Sequence, residues 1–305
     1  MRLLNASGCL DALAAPETAR ELDAFVTKTV TPMPREGNRP VRIAETEVGM
    51  LNAIGLANPG IDAFVADHLP RLTELGLPLW VSVGGFATAD YVAVAERLAN
   101  RPEVESLELN LSCPNVDEVP ENVGEVVAAV RAVTAKPLYA KLSPAGADVA
   151  ETARAVEAAG ADGLSLVNTI RGLALDERTL RPVLDRGSGG LSGPALRPIA
   201  LAAVHACRRA TELPIVGMGG VATGRHALEL LAAGADDVAI GTALFSDPAA
   251  PSRIRSELSS ELAARGFASP DNISGAAHEP EAPTLDRGSR VEAEKYLHTG
   301  ANMAG

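Results

Sequence analysis

AAGADGLSLVN (residues 158–168) and AAGADDVAIGT (residues 232–242) are near-copies set far apart in a chain of 305 residues. Each closes an amphipathic stretch with glycine and turns at once into a buried apolar run, the pattern of a helix feeding a strand. Working outward from these two units, short aliphatic and β-branched runs at 1–6, 25–30, 78–84, 106–112, 137–143, 163–169, 214–220 and 237–245 read as eight strands. Amphipathic helical patterns separate them at 88–100, 124–134, 148–159, 196–210 and 224–233. Eight strand-then-helix units predict an α/β fold of the (β/α)8 TIM-barrel type, for which about 250 residues is typical; an open doubly wound sheet rarely runs to eight such units. The reading places one barrel domain over 1–268 and a C-terminal tail over 269–305, poorly ordered or serving as a docking extension. Two excursions break the repeat, at 31–58 with a strand-like PVRIAE, and at 171–194, which is rich in glycine. Both leave the C-terminal end of a strand, where barrels of this kind build their sites.

Composition removes several functions. Lys and Arg number 27 against 39 Asp and Glu, a net charge of −12, and only 3% of residues are aromatic. Neither a basic footprint nor a base-stacking platform for nucleic acid exists, and an anionic ligand must be held by a local arrangement. No apolar run approaches the ~18 residues of a membrane span, and Asn5 and Asp11 interrupt the start before a signal-peptide core forms, so the protein reads as cytoplasmic. Cys9, Cys113 and Cys207 are too widely spaced for a disulfide framework or a zinc or iron-sulfur cluster, and the five histidines form no ligand pair. No metal site is expected.

The barrel reading directs attention to the polar residues at strand ends: Ser7, Lys28, Thr29, Asn110, Ser112, Cys113, Asn115, Lys141, Ser143, Asn168, Thr169, Gly219, Gly220, Gly241 and Thr242. None is His, Asp or Glu, so proton transfer in this mouth falls to Cys or Lys. In LNLSCPN (residues 109–115), Leu107, Leu109 and Leu111 mark one strand face, which leaves Asn110 and Ser112 on the other and Cys113 at the mouth. Cys9 and Cys207 read as structural. Only four lysines occur against 23 arginines, and two of them, Lys28 and Lys141, sit near strand ends. A compact ammonium there suits a cofactor contact. Asn52, Asn110, Asn115 and Asn168 each offer a donor and an acceptor side by side, matching a planar ring with amide or imide groups. GMGGV (217–221) and GTA (241–243) close the seventh and eighth strands, the usual phosphate place of this fold.

GMLNAIGLANPG (49–60), LNLSCPN, YAKLSP, LVNT, GGLSGPAL, GMGGV and GTALFSDP, taken together and in this order, resemble the dihydroorotate dehydrogenases. The likeness is to the class 1 type that pairs with an iron-sulfur flavoprotein subunit. It implies FMN held by Ala6, Ser7, Gly8, Lys28, Thr29, Lys141, Val167, Gly190, Gly219, Gly220, Gly241 and Thr242. It implies dihydroorotate or orotate gripped by Lys28, Asn52, Asn110, Asn115, Asn168 and Thr169, with Cys113 and Lys141 as catalytic residues and Cys113 as the base. Partners implied are a second copy of the chain and an FAD and iron-sulfur electron-transfer subunit. Two departures are visible. Met1 already lies in the first strand, where the family usually has a preceding hairpin, so either the N-terminal end of the barrel is less well covered or the chain's true start lies upstream of Met1. VDEVPENVGE (116–125), expected to act as the lid over Cys113, is short. A related flavin oxidoreductase for another dihydropyrimidine, a catalytically weakened flavin-binding assembly subunit and a phosphate-binding aldolase or isomerase using Lys141 remain open on the residues alone.

Overall fold

The computed structural model describes residues 1–111, 122–145 and 148–278. Among them run twelve strands, β1 (Leu3–Asn5), β2 (Phe25–Val26), β3 (Ile43–Thr46), β4 (Gly49–Asn52), β5 (Leu79–Val83), β6 (Val104–Asn110), β7 (Leu138–Leu142), β8 (Gly163–Leu166), β9 (Ile170–Gly172), β10 (Gly189–Ser192), β11 (Ile215–Met218) and β12 (Asp237–Ile240). Eight are parallel neighbours in the order β1-β12-β11-β8-β7-β6-β5-β2. A bridge between Leu4 and Ala24 joins the first to the last, and Asn5 ties the same seam by accepting from Val26 N and donating to Val26 O. These are the eight strands expected from the sequence, closed into a barrel. Helices expected around it form over Thr88–Ala99, Val123–Arg131, Val149–Ala158, Arg197–Arg208 and Gly224–Ala232. Asn122, Asp148 and Thr223 cap three of them through side-chain oxygens, each cap being worth about 1 kcal/mol.

The two near-copies are structural copies. Gly160 and Gly234 adopt left-handed φ of 98° and 111°, where the chain leaves the helix. Ala161 N and Ala235 N then reach back to Val156 O and Leu230 O. Asp162 accepts from Leu138 N and Arg131, and Asp236 accepts from Ile215 N and Arg208. In both copies, therefore, one carboxylate fixes the start of the neighbouring strand and clamps the preceding helix.

The two excursions pair with each other. Strands β3, β4, β10 and β9 make an antiparallel sheet over the barrel mouth, packed on Leu51, Ala53 and Leu184. The PVRIAE strand thus forms slightly late and pairs with the neighbouring β4, while β4 pairs on its other side with β10 from about 140 residues away, a pairing that no local periodicity encodes. Gly189 is required there: a Cβ would sit 2.6 Å from Asn52 O.

The lumen at the N-terminal end of the barrel is filled by its own interior side chains. Trp80 is 1% exposed, its ring 4.2 Å from that of Tyr139, and Arg2 lies over it while pairing with Glu105 and Asp237. Burial pushes the Tyr139 phenol up, opposed by the adjacent guanidinium of Arg2. Beyond the last long helix, Ala250–Ala264, the chain makes two 3-10 turns, Pro270–Asn272 and Ala276–His278. Between them Ile273 packs into the main core, and the His278 ring stacks on His205. No helix among the described residues is long and apolar enough to cross a membrane.

Candidate active site

At the C-terminal mouth lies a cavity of about 1150 Å³ counting its opening, walled by the barrel strand ends and roofed by the small sheet through Ile43, Met50 and Asn52. Strand alternation decides what enters it. In β6 the row Ser106, Glu108, Asn110 points inward while Leu107 and Leu109 face the helices; in β7 the inward row is Tyr139 and Lys141. Lys141 is 5% exposed, and its ammonium donates to Ser7 Oγ at 2.9 Å and to Glu108 Oε1 at 3.4 Å. The Lys28 stem runs along Gly8, whose φ of 77° and missing side chain leave it room: a Cβ would come within 2.9 Å of Lys28 Cδ.

The asparagines are coupled through a run of hydrogen bonds. Asn168 Nδ2 donates to Asn110 Oδ1 at 2.9 Å, Asn110 Nδ2 to Thr29 Oγ1 at 3.2 Å, and the Thr29 and Ser82 hydroxyls meet at 3.0 Å. Tyr91 holds the Asn110 carbonyl at 2.8 Å. Such a chain fixes which edge of each amide faces the cavity. Asn52 donates to Gly190 O at 3.3 Å across the β4–β10 pair. On the opposite wall, side chains give way to backbone. Gly219 and Gly220 have φ of 127° and 69°, and a Cβ on Gly220 would lie 2.8 Å from Gly193 O.

The structure brings together Ala6, Ser7, Gly8, Lys28, Thr29, Asn52, Asn110, Lys141, Val167, Asn168, Thr169, Gly219, Gly220, Gly241 and Thr242 around one cavity. Gly190 is not in its wall; it acts one step back, as the β10 partner of Asn52. Ser112, Cys113, Asn115 and most of the expected lid lie outside the described residues. Cys207 is buried against Val149 O, and its thiol is pushed up to about 12, chiefly by burial, as suits a structural residue. Cys9 differs from its structural reading, for it lines the cavity; burial raises its thiol while the ammoniums of Lys141 and Lys28 pull it down. Glu108 was legible in the Leu107–Leu109 alternation that revealed Asn110, yet a search confined to strand ends passes over a carboxylate one layer below. Among the described residues no group of three or more His, Cys, Asp or Glu is placed to hold a metal ion.

The profile of the Dihydroorotate dehydrogenase family matches residues 2–262. The chain belongs to the dihydroorotate dehydrogenase family. It is 50% identical over 251 residues to the dihydroorotate dehydrogenase B (NAD(+)) catalytic subunit of Latilactobacillus sakei, covering 79% of this chain and 82% of that one. To the subunit of the same name from Listeria monocytogenes it is 45% identical over 256 residues, covering 82% and 84%. Ligand-free dihydroorotate dehydrogenase from Eimeria tenella superposes with a TM-score of 0.77 at 22% identity, over 91% of this chain and 89% of that one, a likeness of fold. Dihydroorotate dehydrogenase catalytic subunits are FMN-binding flavoproteins. The donor set here fits that cofactor: among the described residues the cavity wall carries two lysines and no Asp or Glu, in a chain of net charge −12. Its glycine side suits a phosphate, and its amides suit an imide ring.

Proposed function

We infer that this chain oxidises dihydroorotate to orotate with FMN, as the catalytic subunit of a dihydroorotate dehydrogenase. The observation that carries the reading is the pairing of two ammoniums with a hydrogen-bonded asparagine run at the ends of barrel strands. FMN, when bound, supplies the two-electron acceptor for the hydride that leaves the substrate. Gly219, Gly220, Gly241 and Thr242 would hold its phosphate; Ala6, Ser7, Gly8, Thr29 and Val167 would flank the ring, and Lys141 would stabilise negative charge on it. Lys28, Asn52, Asn110, Asn168 and Thr169 orient the substrate's carboxylate and imide, joined by Asn115 on the strength of its motif. Cys113 Sγ is assigned the proton from the carbon next to the ring carbonyl, and the adjacent carbon gives up its hydride, so that one C=C bond forms for one proton and one hydride lost.

Electrons must then leave, and this chain's widely spaced cysteines offer no second redox centre. A partner subunit carrying FAD and an iron-sulfur cluster, passing them to NAD, completes the reading. The small sheet and its loops expose Val41, Val48, Leu173, Leu175 and Leu180, each at 48% or more, which supports a second copy of the chain as their cover. The reading goes with a cytoplasmic protein. The test is anaerobic mixing of purified, FMN-loaded chain with dihydroorotate. Bleaching of the flavin absorbance and turnover with a small artificial acceptor are expected, with NAD reduced only after the partner is added. A flavin that dihydroorotate does not bleach rejects the reading.

A further inference from the structure

Lys141 faces the cavity with a carboxylate close behind its ammonium. Directly beneath it in the barrel lumen, Glu108 is 1% exposed and its carboxylate lies 3.4 Å from Lys141 Nζ. The β6–β7 register makes the geometry firm, since Asn110 is level with Lys141 and Glu108 with Tyr139, so the carboxylate sits one step lower on the adjacent strand. Lys141 is pinned between two fixed oxygens, Ser7 Oγ near the cavity wall and Glu108 Oε1 below. Glu108 is itself absent from the cavity wall, so it does not touch a bound ring, and its influence travels through Lys141 and through the field. That field reaches the wall: at Cys9, Glu108 opposes the effect of Lys141 and Lys28 on the thiol. In a water-poor lumen such charge terms are screened far less than at the surface.

We propose that Glu108 is a positioning residue and counter-charge for Lys141, aiming its ammonium at the flavin and cancelling part of the positive potential there, so that Glu108 sets the FMN reduction potential downward. The inference rests on the assignment of Lys141 to FMN. Taking up electrons adds negative charge to the ring, and the reduced form gains most from an uncompensated ammonium nearby. A carboxylate 3.4 Å behind that ammonium limits the gain and keeps the flavin able to pass its electrons on.

The experiment is spectroelectrochemical titration of bound FMN, with FMN stoichiometry and thermal stability measured on the same samples. In Glu108→Gln, which keeps shape and a hydrogen-bond acceptor, reduced FMN is expected to gain at least ~10-fold over oxidised FMN relative to the wild type, about 30 mV upward for a two-electron couple. Glu108→Asp, whose carboxylate is drawn back by one methylene, is expected to fall between the two. Lys141→Met is expected to move the potential downward, because the ammonium that favours the reduced ring is gone. An unchanged potential in FMN-loaded Glu108→Gln, with a shift in Lys141→Met, overturns the proposal alone. No shift in Lys141→Met overturns the assignment of Lys141 to FMN as well. Loss of FMN or of folding in both Glu108 variants overturns it too, by making the pair a structural brace only.

Discussion

The two ends of this barrel are built from the same eight strands and do opposite things. At the N-terminal end Trp80 and Tyr139 stack in a filled lumen, with Arg2 spread across them and held by Glu105 and Asp237. At the C-terminal end the lumen stays open, and the inward positions carry Lys141, Asn110, Asn168 and glycine. The alternation is identical, so chemistry changes only with height along each strand: Tyr139 and Lys141 are two residues apart on β7. Stability belongs to one end and recognition to the other, with the Glu108–Lys141 pair at the junction.

That division can be broken by substitutions at each end. The largest effect is expected from Trp80→Ala, which empties a filled core position and should cost ~3–5 kcal/mol in chemical denaturation while the folded fraction retains FMN. Wild-type stability in that variant would break the comparison outright. At the mouth, Cys113→Ala should slow flavin reduction by dihydroorotate at least ~100-fold in stopped flow, about 2.7 kcal/mol of barrier, with bound FMN and melting temperature unchanged. Cys113→Ser should be slow near neutral pH and recover as pH rises, because a hydroxyl is harder to deprotonate than a thiol of pKa ~8.5.

Gly220→Ala tests the backbone side of the mouth. A Cβ at φ 69° and 2.8 Å from Gly193 O should cost ~1–2 kcal/mol and weaken FMN binding, read by flavin fluorescence on dilution. Asn168→Ala removes the first member of the amide run and should raise KM for dihydroorotate roughly tenfold with little change in unfolding midpoint, the size of one lost hydrogen bond to a buried partner. The smallest effect is expected at the closed end, where Arg2→Gln should cost under ~1 kcal/mol and less at high salt, since Arg2 and Glu105 are about two-fifths exposed. A loss of flavin-reduction rate in Arg2→Gln would show that the two ends are coupled after all.

What could be read from the chain beforehand follows the same geometry. The eight strands, their helices and the duplicated glycine–aspartate turns are set by periodicities of two and 3.6 and by local caps, all within a dozen residues of one another. The same periodicity assigns Asn110 and Lys141 to the lumen, and strand order assigns the glycines to the phosphate wall. The family motifs supplied Cys113 and its role, which composition and spacing leave open between Cys and Lys.

Tertiary structure decided the rest. Only the closed barrel brings Glu108 of β6 beneath Lys141 of β7 and Ser7 from the far end of the chain against the same ammonium. Only the folded chain pairs Gly49–Asn52 with Gly189–Ser192 to roof the cavity, seats Cys9 in its wall and closes the opposite end with Trp80 and Tyr139. The sequence by itself determined which way the side chains of the barrel strands face, because alternation along a strand depends on immediate neighbours. Which side chains meet was left to the fold, because that depends on register between segments separated by up to about 235 residues.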